Sequence, residues 1–407
     1  MSETATLLLS LLGVLGTALA VRLLVRNRDR VAFASVLVAV GVAVSVLGLS
    51  FDLALTADLI FMVLLPAIVF QGTTTLDVRR LVDNGGLIVV LTGVGLSLAI
   101  ALLGAVWTVT VGFPLLVSLI FAAIVLPTDP AAVLSIFDEL DVDERLAITI
   151  EGESLLNDGV AIVIFSTLLA AHEAGRSVDS LATAGGLVGL VGDVAIVGGG
   201  GFLVGAVTGY AAHGLMRRLD DEMSVLLLTV LVAYGSFLLA EHVLGLSGIL
   251  GVVGAGLLMG AHEETHHRMS SAENHVQQLW TTASFLVTTV LYVLIGTAVP
   301  IGAFVRHADL VLAAAVFVVV VRAATVYPLV TASNRVLERR VSTACQHVLV
   351  WGGLHTVVPI ALALSLPASF PLRAELQVTV FGVAIVSIVV QGLLMPVVLS
   401  QVGLGNG

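Results

Sequence analysis

The chain has 407 residues, 58% of them hydrophobic and only 11% charged, with a mean hydropathy of +1.12 and a formal net charge of −11; a soluble globular domain carries roughly 25% charge. Such a composition is that of an integral membrane protein and excludes a soluble enzyme or a nucleic-acid binder. Aromatic residues make up 5% and glycine fills 41 positions, which suits helices packing closely through small side chains and excludes a barrel of alternating strands.

Taking about 20 apolar residues per crossing, the sequence divides into thirteen spanning segments. They are centred near 5–25, 31–49, 53–72, 86–108, 112–137, 145–171, 184–213, 224–243, 245–261, 276–299, 308–332, 343–366 and 376–402. All 17 basic residues are Arg, a usage that points to a GC-rich or halophilic source. Loops after odd-numbered segments hold thirteen of them (Arg22, Arg26, Arg28, Arg30, Arg79, Arg80, Arg145, Arg217, Arg218, Arg268, Arg335, Arg339 and Arg340) and the other side three, Arg176, Arg306 and Arg373. Because Arg gathers on the cytoplasmic side, the N-terminus is expected outside and the C-terminus inside. Nothing basic precedes the first apolar stretch and no cleavage site follows it, which argues against a cleaved signal peptide.

The longest polar connection runs only from His262 to Gln278, so residues 1–407 read as a single membrane domain. Residues 5–171 and 224–402 make two six-helix halves. The odd helix at 184–213 links them and inverts the second relative to the first. In inverted-repeat transporters the interrupted helices hold matching places in the two halves. Segment five is interrupted at Pro127 and Pro130, and segment twelve, the fifth of its half, at WGGLHTVVP, with Gly352, Gly353 and Pro359.

Segment five, LLVSLIFAAIVLPTDPAAVLSIF, places Asp129 between two prolines that deny the backbone its regular hydrogen bonds. Freed carbonyls and amides at membrane depth must face protein or a water-filled cavity. Thr128, Asp129 and the broken backbone supply oxygen donors of the kind that hard cations favour. The plainer reading is a proline kink whose Asp caps the second half-helix, and the two readings are compatible.

Segment six, RLAITIEGESLLNDGVAIVIFSTLLA, carries Glu151, Glu153, Asn157 and Asp158. An ionised carboxylate at mid-bilayer costs at least about 2.5–3.5 kcal/mol, so each such group normally faces a cavity or a partner. Glu153 with Asn157, and Ser154 with Asp158, are each four apart and form adjacent stripes on one helix face. Glu151 lies nearer the interface and is expected to be solvated. Asp158 is the best candidate for the exchanging group, since burial moves a carboxylate towards holding a proton at working pH. Arg322 lies mid-segment in VLAAAVFVVVVRAATVYPLV and needs a counter-charge, for which Glu153 is the natural partner. Cys345 stands alone, which excludes an intrachain disulfide or a thiolate metal site. The loop group His262, Glu263, Glu264, His266, His267 and His275 matches no metal spacing and reads as a solvated loop or a cytoplasmic pH sensor.

TDP in one interrupted helix, ExxxND in the next, an arginine in segment eleven and WGGL…ALALSLP in segment twelve together resemble the NhaP-like sodium/proton antiporters, over essentially the full length. These are prokaryotic relatives of the eukaryotic sodium/proton exchangers. The resemblance implies a thirteen-helix homodimer in the cytoplasmic membrane, with an interface domain, a transport core of crossed and partly unwound helices, and elevator-like alternating access. By position, it makes Thr128, Asp129, Ser154 and Asp158 the Na+ ligands, Asn157 the brace of the unwound backbone, and Glu153 with Arg322 a structural ion pair. Electrogenic relatives carry a second Asp where this chain has Asn157, so exchange of one cation for one proton is implied. No cofactor is implied beyond the transported ions, the partners are lipid, cation and proton, and the alternative on the same fold is K+/H+ exchange.

Two positions depart from the family pattern and are candidate modulators. Gln71, in Phe70-Gln71-Gly72, stands where a Glu is frequent, and His355 stands where segment twelve usually has an arginine. An imidazole there could sense pH or simply hydrogen-bond within the unwound stretch. Two aspartates in consecutive spans also suit an intramembrane aspartyl protease, but Asp158 sits in LLNDG rather than GxGD, and no PAL-type motif follows. A passive channel would need no titrating site.

Overall fold

The computed structural model describes residues 3–25, 33–48, 53, 55–130, 133–134, 136–137, 142, 144–176, 183–219, 221–263, 270–298, 301–336 and 340–404. Arg26, Arg28, Arg30, Glu264, His266, His267, Arg268 and Arg339 lie outside the described residues. Among the described residues, helix is found within each predicted spanning segment: α1 (Glu3–Val25), α2 (Phe33–Val46), α3 (Leu59–Thr75), α4 (Val78–Val111), α5 (Leu115–Val125), α6 (Glu144–Glu173), α7 (Ala184–Met216), α8 (Glu222–Val243), α9 (Gly248–Glu263), α10 (Ser270–Thr297) and α11 (Ala308–Ser333). Segment twelve is two half-helices, α12 (Thr343–Trp351) and α13 (Val357–Ser365), and α14 (Arg373–Gln401) completes the chain. Among the described residues, eight helices are long and apolar enough to cross a membrane by length and composition, and α2, α3, α5 and the apolar part of α9 are shorter.

Element ends follow from local chemistry. The side chains of Asp77, Asp221 and Ser342 accept from the amides of Arg80, Ser224 and Cys345, capping α4, α8 and α12. Hydrogen bonds from Ser224 hold the Asp221 carboxyl below the usual carboxylate range. The Asp77 cap starts α4 well before the predicted residue 86, because hydropathy registers only the apolar part of a helix whose first turns carry Arg79, Arg80, Asp83 and Asn84. Gly112 adopts φ +83, which ends α4, and Pro114 then precedes α5. Among the described residues five stretches have π-helical turns, including Val90–Gly95 in α4 and Ser387–Gln391 in α14; such turns are rare and frequently mark functional positions.

Contacts divide the chain into two units. The first comprises residues 1–57, 94–150 and 288–407. Its aromatic core is Trp107, fully buried against Phe121 at 4.6 Å, with Phe113 and Phe317 edge-on at 6.3 and 6.2 Å. Also in this unit, α2 meets the end of α10 backbone to backbone: a Cβ on Gly296 would lie 2.4 Å from the Val38 carbonyl oxygen.

The second unit comprises residues 58–93 and 151–287. Here α7 and α9 cross through glycine. A Cβ on Gly205 would lie 1.7 Å from the carbonyl oxygen of Gly251, and one on Gly254 2.2 Å from that of Phe202. Small residues on both helices let dispersion and backbone contacts replace the hydrophobic drive that lipid removes. Trp280 packs on Phe70 at 4.7 Å and donates its indole N–H to Thr229 Oγ1 at 3.0 Å.

Candidate functional site

In the first unit the two predicted interruptions meet. Helix α5 closes with Leu126 N donating to Ala122 O at 3.1 Å, and Pro127 cannot donate to continue it. The chain runs non-helical from Leu126 to Pro130, whose carbonyl then accepts from Val133 and Leu134 to start a new turn. On the other side α12 ends at Trp351 and α13 begins at Val357, so Gly352–Thr356 are also non-helical. Pro359 lies inside the first turn of α13 rather than in the gap, a position where its missing N–H costs nothing. The two gaps cross as an isolated antiparallel bridge, Asp129 N donating to Leu354 O at 2.6 Å. An amide released by one break therefore satisfies a carbonyl of the other, as an apolar environment demands.

Side chains reinforce the crossing. Thr356 Oγ1 donates to Asp129 Oδ2 at 2.5 Å, and Tyr292 OH donates weakly to the same oxygen at 3.4 Å. His355, 1% exposed, has its ring Nδ1 3.0 Å from Pro127 O. A carbonyl only accepts, so Nδ1 carries the proton. The π-helical turn of α14 aims Ser387 and Gln391 at the same gap: His355 N donates to Ser387 Oγ at 3.1 Å, Ser387 Oγ to Gln391 Oε1 at 2.5 Å, and Gln391 Nε2 to Trp351 O at 3.3 Å. Arg322, 9% exposed, donates from Nε to Leu349 O at 3.0 Å and passes so close to Gly353 that a Cβ there would lie 2.4 Å from that nitrogen.

In the second unit, α6 carries the predicted polar stripe as unbroken helix. Glu153, Ser154, Asn157 and Asp158 are all buried, with Glu153 4% and Asp158 8% exposed. Thr92, in the π-helical stretch of α4, donates to the Glu153 carbonyl at 3.4 Å. Glu151, expected to be solvated, is half-buried, its Oε1 3.7 Å from where Gly72 would carry a Cβ; the glycine leaves room for the carboxylate beside α3. Gln71 is half-buried on α3. Of the histidine loop, His275 Nδ1 lies 3.0 Å from Glu222 Oε2, both side chains about half exposed, which ties the starts of α10 and α8; His262 and Glu263 fall at the end of α9.

The sequence model of the transmembrane sodium/hydrogen exchanger matches residues 13–401. The chain belongs to that family. Its relatives include the Na(+)/H(+) antiporter ApNhaP of Aphanothece halophytica, 33% identical over 350 residues, 86% of this chain and 66% of that protein. Another is the Na(+)/H(+) antiporter NhaP of Pseudomonas aeruginosa, 34% identical over 339 residues, 81% of this chain and 77% of that protein. The match thus spans just under two thirds of the Aphanothece protein's length. The solved structure of the sodium proton antiporter MjNhaP1 from Methanocaldococcus jannaschii superimposes with a TM-score of 0.75 at 17% identity, covering 98% of this chain and all of that one. That likeness shows that the chain has the antiporter fold.

Within this fold, Thr128 and Asp129 sit at the crossing in one unit, and Ser154, Asn157, Asp158 and Glu153 on α6 in the other, all in buried or half-buried positions. Sequence reasoning overlooked Thr356, Tyr292, Ser387 and Gln391. Thr356 follows His355 in the one stretch of segment twelve flagged as unusual, so a signal existed for it; a lone tyrosine in LVTTVLYVLIG carries none.

Proposed function

We propose that this chain is a secondary antiporter that exchanges a monovalent cation, Na+ first, for H+ by alternating access. The cation and the proton compete for Asp158, with Asp129, Thr128 and Ser154 as further cation ligands. Asn157 braces the site, and Glu153 with Arg322 forms a structural pair. Gln71 tunes cation preference, and His355 the crossing. The observation that carries this reading is the crossing of two interrupted apolar helices at Asp129. A membrane protein that merely had to stand in lipid would gain nothing from breaking two helices around a carboxylate. That its relatives in Aphanothece halophytica and Pseudomonas aeruginosa are Na(+)/H(+) antiporters supports Na+ as the cation.

Because Asn157 cannot titrate, one proton is exchanged for one cation, and no net charge crosses. Such exchange does no work against the membrane potential, which is worth about 2.3 kcal/mol per charge per 100 mV. The protein acts as a homodimer in the cytoplasmic membrane, with its N-terminus outside. The test is purified full-length protein in proteoliposomes holding a pH-sensitive dye, with Na+, K+ and Li+ added across a range of pH. Proton counter-flow driven by Na+, at a rate indifferent to an imposed membrane potential, is the expected result. Cation flux without proton movement would make the protein a channel, and potential-dependent exchange would refute the one-to-one stoichiometry.

A further inference from the structure

The hydroxyl of Thr356 is used in an unusual way. At the starts of α4, α7, α8 and α12 the capping side chains, Asp77, Thr183, Asp221 and Ser342, accept from amides of their own helices. Thr356 holds the same position at the start of α13 and is a residue type suited to capping, yet it makes no such bond. Its φ of −127 and ψ of −87 lie outside the usual capping conformation and direct the hydroxyl to Asp129, 227 residues away in sequence. Thr356 is 1% exposed and Tyr292 5% exposed. Both hydroxyls converge on the same carboxylate oxygen, Asp129 Oδ2.

A hydroxyl has one proton and two lone pairs, and its proton rotates. With no cation present, the proton points at the carboxylate. Once a cation sits against the carboxylate, the same oxygen turns a lone pair towards it, giving up the hydrogen bond as the two oxygens draw slightly apart. Hard cations select such neutral and anionic oxygen ligands. Each hydroxyl therefore replaces part of the hydration shell that the cation loses, and does so at a fixed place. His355 keeps that place fixed, since its main chain is bonded to Ser387 and its ring to Pro127, one on either side of the crossing.

We propose that Thr356 and Tyr292 are further oxygen ligands of the cation at Asp129, and that Thr356 sets cation affinity and preference. This rests on the antiporter reading and deepens it. Thr356→Val keeps the side-chain shape and removes only the oxygen; Thr356→Ser keeps the oxygen; Tyr292→Phe removes the more distant hydroxyl. In proteoliposomes, Thr356→Val is expected to raise the half-saturating Na+ concentration about tenfold, the loss of one well-placed ligand, while maximal rate falls no more than about twofold. The order of preference among Na+, K+ and Li+ should change with it. Thr356→Ser should restore both, and Tyr292→Phe should give a smaller rise in the same direction.

Binding is also read without transport, as the upward shift of the thermal transition of detergent-purified protein with added NaCl, against choline chloride as control. That shift should be smaller in Thr356→Val. A folded Thr356→Val with unchanged half-saturation, cation order and Na+-dependent shift would overturn the proposal, as would a serine variant that behaves like the valine one. If Thr356→Val does not fold, an unchanged half-saturation in Tyr292→Phe together with a Thr356→Ala variant indistinguishable from wild type overturns it equally. A wild-type protein that shows the Na+-dependent shift but no exchange would refute the antiporter reading and leave the ligand assignment to stand or fall on the thermal data.

Discussion

The backbone amide of Asp129 donates to the carbonyl of Leu354 at 2.6 Å, joining two helix interruptions that lie 225 positions apart in the chain, 354 less 129. Around that bond the side chains of Thr356, Tyr292, His355, Ser387 and Gln391 form one hydrogen-bonded set within the first unit. The crossing is the part of the molecule where sequence variation should be felt most sharply.

His355 gives the first test. Its Nδ1 faces the Pro127 carbonyl, and its Nε2 is buried with no hydrogen-bond partner. A second ring proton would have no acceptor there, and we propose on that ground that the histidine acts as a hydrogen-bond clamp and not as a pH sensor. An Asn amide places an N–H where Nδ1 stands, whereas a Gln amide reaches the Nε2 position. His355→Gln is expected to lower thermal stability by about 1–3 kcal/mol, the cost of leaving a buried carbonyl unpaired, and His355→Asn by less than half of that. The pH profile of exchange should be the same in both variants as in wild type. A profile displaced by a full pH unit in His355→Asn would contradict the clamp.

Gly353 gives the second. Its hydrogen stands where a Cβ would lie 2.4 Å from Arg322 Nε and 2.7 Å from its Cδ. Gly353→Ala must push the guanidinium off the Leu349 carbonyl, and overpacking of this kind costs about 1–3 kcal/mol. Thermal unfolding in detergent measures it. A substitution tolerated without loss would mean that Arg322 has another place to go.

Glu153 gives the third. It is 4% exposed on a membrane-length helix, and we assign it to structure and not to ion binding. Glu153→Gln should lower the thermal transition by the equivalent of about 3 kcal/mol, the scale of breaking one half of a buried pair, with little change in half-saturating Na+. A variant of undiminished stability and weakened Na+ affinity would reverse the assignment.

Much of this was legible in the sequence, for identifiable physical reasons. Pro127, Pro130, Gly352 and Gly353 announce both breaks because they act through the backbone, whose constraints are local. Glu153, Ser154, Asn157 and Asp158 announce themselves because charge in an apolar run has few innocent explanations. What hydropathy cannot register is the partner of each break. Asp129 and Thr356 are separated by 227 positions, and only packing decides that they touch. The start of α4 was missed for a related reason: its first turns carry Arg79, Arg80 and Asp83, invisible to an apolar window although Asp77 caps them. The π-helical turn that presents Ser387 and Gln391 left no trace in the sequence at all, since an inserted residue in a helix changes register and not composition.

The central claim is that Asp158 holds either the cation or the proton and so couples their flows, and Asp158→Asn tests it most directly. The variant should remain a folded, monodisperse protein in detergent, and in dye-loaded proteoliposomes it should show no Na+-driven proton movement above protein-free vesicles. Retained exchange in a folded Asp158→Asn protein would contradict the account outright.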